Sequence, residues 1–403
     1  MQNPDENSFD ADNVNADTVG GVRSFKHLID IVTGRGYANI NVEGESGLAE
    51  SLPYPFLAIV GQTEMKLALL LNLINPAIGG VLLLGPRGTA KSTAVRSLVN
   101  LTPQVQHSLC YYGCTETDIE NLGIDNVCPD CARRYAEGQP LTHREDMHLV
   151  ELPLNAEIED VVGGLDERAA VHQRMRLRRG ILSYADRNIL FVDEVNLLKD
   201  DIVNVILDAA AMGTFTVRRG AVSATYYARF NLIGTMNPEE GHLRPQIMDR
   251  FGLRVLVSGL EDAEERWQAY QRVSSYKQQP GKLISAFSEQ TNAARDEISR
   301  AQQLLPRVTI PEDAAKAGLH LIQSLQIASL RAEITVFEAA RAYTAADDRT
   351  EVTLEDLAVV APLALRMRQS SYMDDFLSKQ RQQDELLNQK LNELTNPKDR
   401  LRA

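Results

Sequence analysis

The stretch GPRGTAKST, Gly85 to Thr93, follows the apolar run GGVLLL and carries an ammonium and two hydroxyls at its end. That combination suits a triphosphate. Backbone N–H groups at a helix start surround the β-phosphate, Lys91 reaches the β- and γ-phosphates, and the Ser92 hydroxyl ligates Mg²⁺. The candidate cradle is Gly85, Pro86, Arg87, Gly88, Thr89, Ala90, Lys91, Ser92 and Thr93. Ala90 stands where the pattern G-x-x-x-x-G-K-[ST] has its last glycine. The change costs only a methyl group if the backbone there is right-handed, and more if φ is positive. A glycine-rich strand-to-helix turn is the plainer reading of the same residues.

Two more groups fit the same chemistry. In NILFVDEVNLL an apolar run ends in paired carboxylates. Asp193 is suited to hold Mg²⁺ through water, and Glu194 to polarise an attacking water; an acidic helix cap is the alternative. In FNLIGTMNPEEG the Asn237 amide could orient that water near the γ-phosphate. A lone Asn after a strand is usually a turn former, so Asn237 counts only within the set.

All four cysteines fall in CYYGCTETDIENLGIDNVCPDC: Cys110 and Cys114 as C-x3-C, Cys128 and Cys131 as C-P-D-C. Two close pairs separated by a short loop are the usual structural zinc arrangement. A redox-active or disulfide pair and unligated thiols stay open as alternatives, a stable disulfide being the weaker for a cytoplasmic chain.

Such groups need rigid elements to hold them. Nearly wholly apolar runs recur at Val81–Leu84, Leu149–Leu152, Ile189–Val192, Phe230–Gly234 and Leu253–Val257. Runs without polar alternation suit strands buried on both faces of a parallel sheet. Amphipathic segments such as TAVRSLVNL and DDIVNVILDAAAM lie between them, so the expected class is α/β. TFTVRRGAVSATYYARF reads as a β-hairpin turning near Gly220.

With 403 residues the chain has room for two domains. Its first 18 residues hold five acids and no Lys or Arg, which predicts a disordered acidic extension over 1–48. They have neither a basic start nor an apolar stretch, so no secretory leader is expected and the cytoplasm is the expected compartment. No apolar run is long enough to span a bilayer, so no membrane partner is expected. A net charge of -13 argues against nucleic acid as a partner. VRSFKHLIDIVTGRGY has the look of a short helix, and DDFLSKQRQQDELLNQKLNEL of a polar one. QRMRLRRG offers either a solvated helix flank or a basic docking patch.

Taken in order, these elements resemble an AAA+ ATPase, and more closely the I subunit of magnesium chelatase. The likeness is carried by FLAIVGQTEMKLALLLNLINPAIGGVLLLG, ILFVDEVNLL, ARFNLIGTMNPEEGHLRPQIMDRFG, AQQLLPRVTI and ASLRAEITVFEAARAYTA, and covers roughly residues 53–370. It implies a P-loop core with a five-stranded parallel sheet over 49–262, including a Cys-rich loop at 107–135. A helical linker at 263–305 and an all-α C-terminal domain at 306–403 would follow. It assigns Lys91 and Ser92 to the first nucleotide motif, Asp193 and Glu194 to the second, and Asn237 to sensor 1. Arg250 in MDRFG falls on the arginine finger, for which a salt bridge with Asp249 or Glu239 is the alternative. Arg331 in SLRAE falls on sensor 2, and Ile59–Gln62 on the segment lining the adenine site. It further implies ATP and Mg²⁺ as cofactors, a homo-oligomeric ring of six, and chelatase D-type and H-type partner subunits. The implied work is insertion of Mg²⁺ into protoporphyrin IX, as in chlorophyll and bacteriochlorophyll biosynthesis. The cysteine loop and acidic extension depart from the family pattern. A chelatase-like or MoxR-like ATPase working with a von Willebrand-type partner is the second reading.

Overall fold

The computed structural model describes residues 52–164, 177–220, 222–241 and 243–368. The expected acidic extension, the short helix near Gly34, the polar C-terminal helix and residues 173–176 of the arginine-rich stretch lie outside these residues.

In chain order the strands are β1 Val81–Leu84, β2 Gln104–Ser108, β3 Thr142–Asp146, β4 Leu149–Glu151 and β5 Ile189–Val192. There follow β6 Thr214–Arg219, β7 Val222–Tyr227, β8 Asn231–Met236 and β9 Leu253–Leu256. Five of them make one parallel sheet in the order β4-β5-β8-β1-β9; β2 with β3 and β6 with β7 form two-stranded antiparallel ribbons.

The apolar runs explain the layering. Successive side chains of a strand point to opposite faces. Val81, Leu83, Ile189, Phe191, Ile233, Leu253 and Val255 enter one buried cluster, while Leu82, Leu84, Leu190, Val192, Leu232 and Met236 enter another. A polar residue on either face would meet protein instead of water. Each fully buried aliphatic or aromatic side chain contributes roughly 1.5–3 kcal/mol.

Thirteen helices are used below among the described residues. The first eight are α1 Thr63–Ile74, α2 Lys91–Ser97, α3 Glu116–Leu122, α4 Pro129–Ala136, α5 Ile158–Val162, α6 Ile181–Tyr184, α7 Asp200–Met212 and α8 Pro245–Arg250. The last five, α9 Ala263–Gln278, α10 Pro280–Leu304, α11 Glu312–Ser324, α12 Leu330–Ala346 and α13 Leu354–Leu365, form the helical part. Its apolar residues, among them Val336, Ala339, Ala340 and Val360, continue the cluster that covers the first face of the sheet. Among the described residues no helix is long and apolar enough to cross a membrane.

The run read as Phe230–Gly234 is displaced: β8 starts at Asn231 and continues to Met236. It carries the polar Thr235 inside a fully buried strand, which an apolar-run criterion cuts short.

Candidate nucleotide site

The site lies where β1, β5 and β8 end, and each strand hands over one component. β1 runs into the loop 85–90, and α2 begins at Lys91. Gly85 is required by closeness, because a Cβ there would stand 2.0 Å from the Val257 carbonyl oxygen. Gly88 has open space but φ +80°, which favours glycine for its backbone alone. Ala90 also has positive φ, at 65° with ψ 17°. The question left by its side chain is thereby settled on the costly side, at about 1–2 kcal/mol for an L-residue in this region.

Lys91 is buried, and its ammonium donates to the carbonyls of Gly85 and Pro86, both at 2.7 Å. Burial lowers its pKa, against the pull of Asp193, Glu194 and Glu240. The Ser92 hydroxyl stands 3.1 Å from each carboxylate oxygen of Asp193, and the Thr235 hydroxyl donates to the same carboxylate. A hydroxyl and a carboxylate side by side form the oxygen-rich donor set that Mg²⁺ takes.

Glu194 has left-handed backbone, φ 51°, and its N–H donates to the Thr235 hydroxyl at 3.0 Å. Thr235 therefore ties both carboxylate residues to β8. Burial, followed by the nearby Glu240 carboxylate, raises the Glu194 pKa, while Arg87 opposes the shift. Arg87 sits 3.8 Å from Glu194 and pairs more tightly with Glu240. Asn237 is buried, and its side-chain oxygen accepts the Glu239 N–H at 3.2 Å. Lys91, Ser92, Asp193, Glu194 and Asn237 line one cleft of roughly 240 Å³ together with the loop backbone. A cleft with an ammonium, helix N–H groups and a two-oxygen metal seat can hold a magnesium triphosphate. A carboxylate of raised basicity in it can take a proton from water.

A second cavity is lined by Gln62, Met65, Ser258, Leu260 and Arg366. Gln62 donates to the Ser258 carbonyl at 2.7 Å. The segment Ile59–Gln62 ahead of it is fixed from below by Lys66, whose ammonium donates to the Ile59 carbonyl, and by Arg272, which donates to the Ala58 carbonyl at 3.1 Å. Burial, with help from Arg272, pushes Lys66 down to about 7.

The two predicted arginines lie elsewhere. Arg250, at the end of α8, pairs with Asp208 on α7 at 2.6 Å, and with neither Asp249 nor Glu239. Asp249 lies between β9 and the helical part: Arg254 of β9 at 3.3 Å, and Arg368 at 2.8 Å, Arg331 at 3.5 Å and the Ser329 hydroxyl at 2.8 Å beyond it, all meet its carboxylate. Arg331 is half exposed, whereas Arg254 and Arg368 are buried. Sequence reading missed Thr235, Glu240 and this Asp249 centre. Thr235 had a signal, a polar residue just before Asn237; the others depend on distant partners.

The four cysteines converge as well. Their sulfurs all lie within 4.8 Å of one another. Cys110 Sγ accepts the N–H groups of Tyr112 at 3.2 Å and Cys114 at 3.3 Å, and Cys114 Sγ accepts that of Cys128 at 3.4 Å.

A phosphate loop after β1, an acidic pair after β5 with β8 between the two strands, and a helical lid define an AAA+ ATPase. The family profile "Magnesium chelatase, subunit ChlI" matches residues 164–261, and "AAA lid domain" matches 316–389. The magnesium-chelatase subunit ChlI homolog of Methanocaldococcus jannaschii is 43% identical, over 81% of this chain and 89% of that protein. The magnesium-chelatase 38 kDa subunit of Acidiphilium rubrum is 42% identical over 78% and 90%, and ChlI of Synechocystis is 39% identical over 78% and 88%. The chain belongs to the magnesium-chelatase ChlI family. Among solved structures, a putative ATPase from Cytophaga hutchinsonii shares the fold, with TM-score 0.50 and 20% identity over 77% of this chain and 83% of that one. A cryo-EM-based BchI–BchD complex of magnesium chelatase gives TM-score 0.44 and 36% identity, over 81% and 100%.

Proposed function

We propose that this ATPase is the motor subunit of a metal chelatase, and that it spends ATP hydrolysis on Mg²⁺ insertion into protoporphyrin IX. Family membership over most of the chain, with the complete cleft, is the observation that carries this reading. Lys91 and the N–H groups of the loop would bind the triphosphate; Ser92 and Asp193 would hold Mg²⁺, which would supply neutralisation of the phosphate charge. Glu194 accepts a proton from the attacking water, and the Asn237 amide orients that water.

Arg250 acts across a subunit boundary. It sits at the end of α8, outside the lining of its own cleft, so its guanidinium would meet the γ-phosphate of a neighbouring chain in a ring of six. Arg331 serves from the lid as sensor 2. The cleft holds phosphate-binding groups, and the tetrapyrrole site lies on an H-type subunit. A D-type subunit completes the complex, and the site of action is the cytoplasm.

Reconstitution tests the reading. The protein, mixed with D- and H-type chelatase subunits, protoporphyrin IX and MgATP, should yield the fluorescence of the magnesium porphyrin, and Glu194→Gln should not. ATP hydrolysis without metal insertion in a complex that forms would overturn it in favour of protein remodelling.

A further inference from the structure

The segment between β2 and β3 is a small module that must hold itself together. Among its described residues only Cys114, Ile119, Cys131 and Leu141 form a buried apolar cluster. Below about 40 residues a core of that size is rarely sufficient without a disulfide or a metal. Two of its four buried members are thiols, and Cys110 and Cys128 pack beside them.

The sulfur arrangement separates metal from disulfide. A disulfide draws two sulfurs to about 2 Å and has no use for the other two nearby. Tetrahedral zinc, with Zn–S near 2.3 Å, needs all four about 3.8 Å apart. Here every sulfur is within 4.8 Å of every other, and all four thiols are free. The N–H groups of Tyr112, Cys114 and Cys128 already point at two of them, as the second shell of a thiolate-bound metal requires. We infer that Cys110, Cys114, Cys128 and Cys131 bind one structural Zn²⁺ ion.

The ion would clasp a module docked at the far end of the sheet from the cleft. Arg229, just before β8, donates to Asp118 of α3 at 2.8 Å and to the Gly113 carbonyl at 2.7 Å. The same guanidinium reaches Asp186, ahead of β5, at 3.2 Å. Glu116 closes the other side, accepting the N–H groups of Leu141 and Thr142 at 2.6 and 3.1 Å. Module and core therefore meet where β5 and β8 begin, and nucleotide chemistry lies where they end.

The test uses the full chain purified under reducing conditions. Elemental analysis should find about one zinc per chain, falling at least about tenfold when Cys128→Ser and Cys131→Ser are combined. Stripping the unaltered protein with a mercurial and a chelator should expose residues 109–141 to protease, and added Zn²⁺ should restore protection, whether or not the double variant folds. MgATP affinity should change by less than about twofold, since the sites are distant. Four reactive thiols with no zinc, bound iron with visible absorption, or protection indifferent to metal would each overturn the inference.

Discussion

The nucleotide cleft and the cysteine module solve the same problem of positioning polar groups by opposite means. In the cleft Asp193, Glu194 and Asn237 stand one or two residues beyond strands buried on both faces, and Lys91 and Ser92 open the helix that the loop after Val81–Leu84 leads into. In the module the groups to be positioned supply much of the core themselves, and two of the four buried residues are thiols. Substitutions therefore act differently in the two regions. Changing a cleft residue should alter rates with the fold intact; changing a module cysteine should alter local structure with rates intact.

Four substitutions in the nucleotide machinery test this contrast. The largest effect is expected for Lys91→Ala, which removes the ammonium at the loop carbonyls and should abolish measurable nucleotide binding, with the module's protease resistance unchanged. Its companion Arg250→Ala should keep ATP affinity but lose about 10³–10⁵ in hydrolysis, the range for a removed arginine finger. Mixed rings of the two should regain part of the activity, because some interfaces pair an intact finger with an intact loop. Sedimentation-verified mixed rings that stay inactive would remove Arg250 from the interface role.

Glu194→Gln comes next, with ATP binding kept and turnover lowered by roughly 10²–10⁴. The base works ionised, so hydrolysis is lost as pH falls through its pKa. Burial and Glu240 raise that pKa, hence the acid limb of the unaltered enzyme should lie above the ordinary glutamate range. A rate profile with its limb at or below that range would contradict the assignment.

The smallest effect is expected for Ala90→Gly. Relief of positive φ, offset by the greater freedom of glycine in the unfolded chain, should leave a gain of about 0.5–1 kcal/mol. Thermal unfolding should show a rise of a few degrees at most. A loss of stability would mean that the Ala90 methyl group has a packing role.

Much of the scaffold is legible because its cause is local. Double-sided burial leaves apolar runs, and Ile189–Val192 and Val81–Leu84 appear in the structure with the limits read from sequence. The hairpin of β6 and β7 turns at Gly220, which has φ +59°. What stayed hidden has causes far away in the chain. The conformation of Ala90 depends on how β1 meets α2. The partner of Arg250 is Asp208, on another helix, in place of the adjacent Asp249. Besides Arg254 five positions on, Asp249 is claimed by Ser329 and Arg368, 80 and 119 positions downstream, and no spacing rule reports that.

That claim has a consequence for timing. A carboxylate has about four acceptor positions; Asp249 accepts hydrogen bonds from Arg254, Arg368 and the Ser329 hydroxyl, and Arg331 stands in ion-pair range at 3.5 Å. Arg254 and Arg368 are buried and cannot leave without desolvated charge being stranded; Arg331, half exposed, is the donor that can be released. Its guanidinium cannot be seated on Asp249 and turned into the nucleotide cleft at once. Under the proposed roles, the lid's hold on α8 through Arg331 and the service of Arg331 to a phosphate would be alternatives, and the carboxylate between them belongs to the immediate neighbour of Arg250.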